Sequence, residues 1–176
     1  DPDRLHVSEV MLKNINRTLG ASATIEAFLA QDADKALAGA DFVVNAIQVG
    51  GYEPSTVIDF EVPKKYGLRQ TIGDTLGIGG IFRALRTIPV MLDYCRIMEQ
   101  VAPNVLLINY SNPMAMLTGA ILKATGVRTV GLCHSVQGCA LHLCWELDLP
   151  NDDLQWKIAG INHQGWLLEI TRHGED

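Results

Sequence analysis

Apolar positions along this chain change their period several times, and each change marks an element. Residues 4–19 carry Leu5, Val10, Met11 and Ile15 near helical spacing, with Gly20 as a stop. Residues 24–28 suit a short strand, and the Ala-rich, early-acidic stretch 32–40 a short helix. Residues 42–47 form an apolar run that reads as a buried strand opening into the loop 48–54. Between 53 and 80 no period holds, and Gly and Pro residues mark loops. Helical spacing returns over 83–100, which places Leu85, Ile88, Leu92 and Cys95 on one face. A strand over 105–109, a helix over 113–125 with Pro at its start, a strand over 128–133 and a helix over 137–147 follow. Residues 156–161 and 166–171 then read as a hairpin turning at Gln164-Gly165.

Strands alternating with helices make a parallel sheet, and apolar strands imply that both of its faces are covered. The expected architecture is therefore α/β, a Rossmann-like parallel sheet with helices on both faces over 1–150. The start of a C-terminal substrate domain is expected over 151–176. A dinucleotide-binding sheet opens with a strand and a G-x-G-x-x-G turn, followed about 20 residues later by an acid that holds the ribose. Gly77-Ile78-Gly79-Gly80 does not substitute for that turn, because no strand leads into it. The sheet is thus expected to be truncated at its N-terminal strand, with Asp1 standing where the ribose acid belongs.

Composition narrows the function classes. Hydrophobic residues make up 48% of the 176 and charged residues 19%, which excludes a disordered chain. A net charge of −6 with 14 scattered basic residues gives no surface for nucleic acid. The apolar runs, 104–108 for example, are far too short to span a membrane, and no signal peptide opens the chain. The four cysteines, Cys95, Cys133, Cys139 and Cys144, lie in helical or strand-end settings. They read as reduced thiols of a cytoplasmic protein.

Ligands of open parallel sheets bind beyond the carboxyl ends of the strands. Here those ends run into Ala46-Ile47-Gln48-Val49-Gly50-Gly51, Asn109-Tyr110-Ser111-Asn112-Pro113 and Cys133-His134-Ser135. Each has a plain alternative: Asn112-Pro113 as a helix cap, Cys133 as packing, His134 as a loop residue and His163 as a structural residue at a turn. Ser111, Ser135 and His134 make no hydrolase triad, because no G-x-S-x-G turn is present. A thiolate and an imidazole together suit a divalent transition metal, and two ligands are too few for a closed structural zinc site.

The segments Gly79-Gly80-Ile81-Phe82-Arg83-Ala84-Leu85-Arg86-Thr87-Ile88-Pro89, Asn109-Tyr110-Ser111-Asn112-Pro113-Met114-Ala115, Gly131-Leu132-Cys133-His134-Ser135-Val136 and Gly160-Ile161-Asn162-His163 resemble, in order and spacing, glycoside hydrolase family 4. The resemblance implies NAD and a divalent metal, usually Mn2+, as cofactors. It places the metal ligands on Cys133 and His163 and a sugar-binding residue on Asn112. Cys-His-Ser-Val from Cys133 is similar to the α-galactosidase version of the metal motif. In relatives acting on phosphorylated glucosides the position after the cysteine is not His, and in at least one it is an Asp proposed as the general acid. His134 takes an acid or substrate-binding role by that match.

Asp74 and Arg86 are further candidates for contacting substrate, and Asn45 and Gln48 for contacting the cofactor. The implied reaction oxidises C3 of the sugar with NAD, removes the C2 proton, eliminates the glycosidic oxygen, adds water and returns the hydride, outside the usual two-carboxylate scheme. The family's base, a Tyr well downstream of the metal histidine, matches none of Tyr52, Tyr66, Tyr94 and Tyr110 and is expected beyond Asp176. The expected partner is a small-molecule glycoside, and family members form a homo-oligomer, a dimer or tetramer. An α-glucosidase or α-glucuronidase of the same family, an NAD-dependent 2-hydroxy acid dehydrogenase and a non-catalytic NAD-binding regulator are the alternatives.

Overall fold

The structure is a computed structural model and describes residues 1–175. Helix α1 (Pro2–Thr18) leads through an extended stretch to a 3-10 turn (Ala30–Asp32) and the short helix α2 (Ala33–Leu37). Strand β1 (Phe42–Asn45) follows, then a π-helical turn (Gly51–Thr56) and α3 (Val57–Lys65). The long helix α4 (Gly77–Val101) precedes β2 (Leu106–Asn109), α5 (Met114–Ala124), β3 (Arg128–Gly131) and α6 (Ser135–Glu146). Strands β4 (Leu154–Ile161) and β5 (Gln164–Arg172) end the described chain.

Strands β1, β2 and β3 form one parallel sheet in that order, and β4 and β5 form a separate antiparallel pair. The parallel register aligns Asn45, Asn109 and Gly131, so all three carboxyl ends finish on one edge. The parallel sheet with helices read from the sequence is present, as a Rossmann-like α/β arrangement. Its core lies where α4 and α5 cover one sheet face. Met91, Cys95 and Met98 of α4 meet Leu107 of β2, Ile121 of α5 and Val127. Leu107 and Ile121 are essentially inaccessible to water, and burial of such side chains contributes about 1.5–3 kcal/mol each. Cys95 belongs to this packing, and burial pushes its thiol up to about 11. On the other face Phe42 and Val44 stay exposed among the described residues.

Four readings of the sequence are corrected. Residues 24–28 form no strand, because β1 has no neighbour on its outer side among the described residues and an isolated extended segment has nothing to pair with. The stretch taken as loops contains α3, whose buried positions are Asp59 and Pro63, residues that a hydrophobic pattern does not count. Helix α4 starts at Gly77 and buries Ala84, Thr87, Met91, Cys95 and Met98, while Leu85 is 67% exposed. The hairpin turns at Asn162-His163, and Gln164 and Gly165 pair within β5 against Ile161 and Gly160. No helix among the described residues is long and apolar enough to cross a membrane.

A candidate metal and substrate site at the strand ends

Cys133 lies two residues past β3, on the edge where the parallel strands finish. His163 arrives from the tip of the β4–β5 hairpin, 30 residues later. Its φ of 62° is left-handed, a conformation that costs a histidine free energy and that persists only where surroundings impose it. The two side chains meet: Cys133 Sγ is 3.3 Å from His163 Nε2.

That separation permits a test of fit. A divalent ion of zinc's size binds sulfur at about 2.3 Å and imidazole nitrogen at about 2.0–2.1 Å, which sets the two ligand atoms roughly 3.1–3.6 Å apart for angles of about 90–110°. The pair fits. Among the described residues no group of three or more His, Cys, Asp or Glu side chains is placed to hold a metal. Two ligands are fewer than the four of a closed structural zinc site.

Electrostatics favour the thiolate. Burial pushes the Cys133 thiol up, but hydrogen bonds from the Ser135 side chain and backbone, His163 and Asn162 outweigh it and bring the thiol down to about 7. Ser135 Oγ lies 3.1 Å from the sulfur and the Ser135 amide 3.4 Å. That amide opens α6, so the positive end of a helix faces the sulfur.

Around the pair, the other candidates divide by what their polar atoms already do. His134 is exposed, with its ring 6.2 Å from that of Tyr110. Asn112 is half-buried, and its Oδ1 accepts from the Met114 amide at 3.3 Å, so it supports the start of α5, and among the described residues its amide nitrogen has no hydrogen-bond partner. Asn45 is buried and donates to Asn109 Oδ1 at 2.7 Å. Its side chain ties β1 to β2 instead of facing outward. Gln48 donates to Thr56 Oγ1 at 3.0 Å and lines a cleft with Tyr52, Phe60, Glu61, Asp74 and Arg83. In that cleft Asp74 is paired with Arg83 at 3.0 Å.

Arg86 uses three of its donors inside the fold. Its terminal nitrogens reach both oxygens of Asp59 at 3.1 and 2.6 Å, and its Nε donates to Val49 O at 3.1 Å. Asp59 is inaccessible to water. Arg86 thus anchors α4 to α3 and to the loop after β1. Asp1 caps α1, accepting from the Asp3 and Arg4 amides at 3.0 and 3.3 Å.

Sequence reasoning missed Asp59, Ser135 as a partner of the sulfur, and Thr75, whose Oγ1 lies 3.1 Å from His163 Nδ1. The only sequence signal for Thr75 is the glycine pair behind it. A Cβ on Gly79 would meet Gly73 O at 2.1 Å, and one on Gly80 would meet the Thr75 carbonyl carbon at 2.8 Å. Only glycine lets the loop carrying Thr75 lie so close against α4.

Residues 1–149 match the family described as Family 4 glycosyl hydrolase. The chain is 54% identical, over its full length and 40% of the relative's, to an alpha-galactosidase of Bacillus subtilis (strain 168). It is 42% identical over 81% of its length to an alpha-galactosidase of Rhizobium meliloti (strain 1021), of which it covers 29%. It therefore spans less than half the length of either relative. Among solved structures, the 6-phospho-beta glucosidase of Thermotoga maritima with manganese, NAD+ and glucose-6-phosphate superposes with a TM-score of 0.72 at 25% identity, covering 82% of this chain and 36% of that one. Parallel sheet, strand-end cysteine and family match agree, and the chain belongs to family 4 of the glycosyl hydrolases.

Proposed function

We propose that this chain supplies the cofactor- and metal-binding part of a glycosidase that hydrolyses α-galactosides with NAD and a divalent metal, Mn2+ by preference. One observation carries the reading: Cys133 and His163, remote in sequence, meet at a separation suited to one ion in a chain 54% identical to an alpha-galactosidase. The manganese and NAD+ of the Thermotoga maritima complex support the choice of cofactors. When bound, the metal supplies positive charge beside sugar oxygens that become negative, and the nicotinamide supplies a reversible hydride acceptor.

The remaining work falls to the chain's own side chains. Cys133 and His163 fix the ion at the end of β3, and Ser135 keeps the thiol ionised. Asn112 directs its amide nitrogen to a sugar hydroxyl and so orients the ring. His134, exposed next to the sulfur, gives a proton to the departing glycosidic oxygen or hydrogen-bonds it. Asn45, Gln48 and Asp1 shape the cofactor side, Asn45 through its bond to Asn109. Asp74 is assigned to the substrate side of the cleft, with Arg83 holding its carboxylate.

The test is turnover of nitrophenyl α-galactoside and α-glucoside by the full-length protein with Mn2+, NAD+ and reductant. Faster turnover of the galactoside, abolished by EDTA and accompanied by exchange of the C2 proton with deuterated solvent, is expected. Turnover that survives EDTA would remove the metal from the mechanism, and no turnover of either glycoside would remove the glycosidase reading. A preference for the glucoside would move the assignment to an α-glucosidase.

A further inference from the structure

His163 stands at an exposed hairpin tip, and its ring makes two hydrogen-bonding contacts among the described residues, one at each nitrogen. Nε2 faces Cys133 Sγ at 3.3 Å, and Nδ1 faces Thr75 Oγ1 at 3.1 Å. Thr75 is 5% exposed and lies 88 residues earlier, in the loop before α4. We propose that Thr75 is a positioning residue for the metal site: its hydroxyl accepts the Nδ1 proton of His163 and so turns an unprotonated Nε2 toward the ion shared with Cys133. This rests on the metal reading above.

The argument is one of proton placement. An imidazole that binds a metal through Nε2 must offer a lone pair there, so its single proton sits on Nδ1. A metal-ligating histidine donates that proton to a second group, which fixes both tautomer and ring orientation. Thr75 Oγ1 is the atom within reach. Its own proton has a separate acceptor, Ile72 O at 3.2 Å, which leaves oxygen lone pairs for His163.

Thr75 is itself held still. Its amide donates to Ile72 O at 3.1 Å, as does the amide of Leu76. Behind it, Gly80 leaves no room for a side chain, since a Cβ there would lie 3.1 Å from the Thr75 carbonyl oxygen as well as against its carbon. A hydroxyl fixed on α4's leading loop therefore steers a ring carried by a different sheet. Among the described residues Thr75 is the one hydrogen-bonding partner of the ring besides Cys133 itself, and the hairpin tip that carries it is in a left-handed conformation. Valine at position 75 keeps the shape of threonine and removes the acceptor. Serine keeps the acceptor and loses only a methyl group.

The experiment compares full-length wild type, Thr75→Val, Thr75→Ser and His163→Ala. Mn2+ affinity is read by electron paramagnetic resonance of the free ion and NAD+ affinity by fluorescence titration. Thr75→Val should weaken Mn2+ binding about 10–100-fold, the range found for such outer partners, with NAD+ affinity unchanged and Thr75→Ser within a few-fold of wild type. Wild-type Mn2+ affinity in Thr75→Val, alongside its loss in His163→Ala, overturns the role of Thr75 and leaves the metal site standing. Equal losses of Mn2+ and NAD+ affinity in Thr75→Val also overturn it, as a general structural defect. Undiminished Mn2+ binding in His163→Ala overturns the metal reading and the inference with it. Should Thr75→Val fail to fold, Thr75→Ala takes its place in the same comparison: weakened Mn2+ binding with NAD+ affinity unchanged supports the role, and wild-type Mn2+ affinity refutes it.

Discussion

Replacing Arg86 by methionine separates two roles that its place in the sequence allows, sugar contact and internal anchor. In the structure Arg86 offers three donors to Asp59 and Val49, and the Asp59 side chain is 1% exposed against 25% for Arg86. Methionine keeps much of the stem's volume and leaves a carboxylate buried between α3 and α4 with no cation. Breaking a buried pair from one side costs about 3–5 kcal/mol, and the partial exposure of Arg86 puts this case near the lower end, about 3 kcal/mol. At about 2–4 °C per kcal/mol for a domain of this size, the melting temperature should fall by about 6–12 °C. The double variant Asp59→Leu with Arg86→Met should recover most of that loss, because no uncompensated charge remains. Thermal melts of wild type, Arg86→Met, Asp59→Leu and the double variant by circular dichroism, at one pH and one NAD+ concentration, are the assay. A fall below about 2 °C in Arg86→Met, or a double variant no more stable than Arg86→Met, refutes the reasoning. A pure sugar ligand would give wild-type melting and lost activity.

Two further outcomes follow from the same geometry. Gly79→Ala places a Cβ 2.1 Å from Gly73 O, backbone that cannot swing aside, so the loop bearing Thr75 must move. The expected result is a loss of about 1–3 kcal/mol in a melt together with weaker Mn2+ binding, whereas alanine at the open position Gly119, inside α5, should raise stability by about 0.5–1 kcal/mol and leave Mn2+ binding unchanged. The Cys133 thiol, brought down to about 7, must lose its proton to bind metal. Protons therefore compete at low pH: Mn2+ affinity should fall about tenfold per unit below about pH 7 and level off above it as far as this thiol is concerned. Calorimetric titration across pH checks this, and a profile flat down to pH 5 would contradict it.

Much of the architecture is legible in the sequence because β1, β2 and β3 are short apolar runs separated by helical spacing, and both members of the Cys133–His163 pair stand next to recognisable strand ends. What escaped did so for physical reasons. Helix α3 buries an acid and a proline, so its inner face carries no hydrophobic signature, and the cation that justifies Asp59 lies 27 residues away. In α4 the packed face holds Ala84 and Thr87, small residues that bring the helix close, while the larger Leu85 points to water. Gly165 looks like a turn residue, yet it pairs with Gly160, whose φ of 138° and 2.3 Å Cβ approach to Gln164 O require glycine inside the hairpin. That displacement moves His163 onto the tip itself. The glycine pair marks the close approach of the Thr75 loop, but its partner His163 is set by tertiary structure alone.

The most direct measurement is manganese anomalous diffraction from crystals of the full-length protein soaked in Mn2+. One peak within about 2.0–2.5 Å of both Cys133 Sγ and His163 Nε2 is the predicted result. A peak that touches only one of them, or a strong peak elsewhere with this pair bare, would contradict the account.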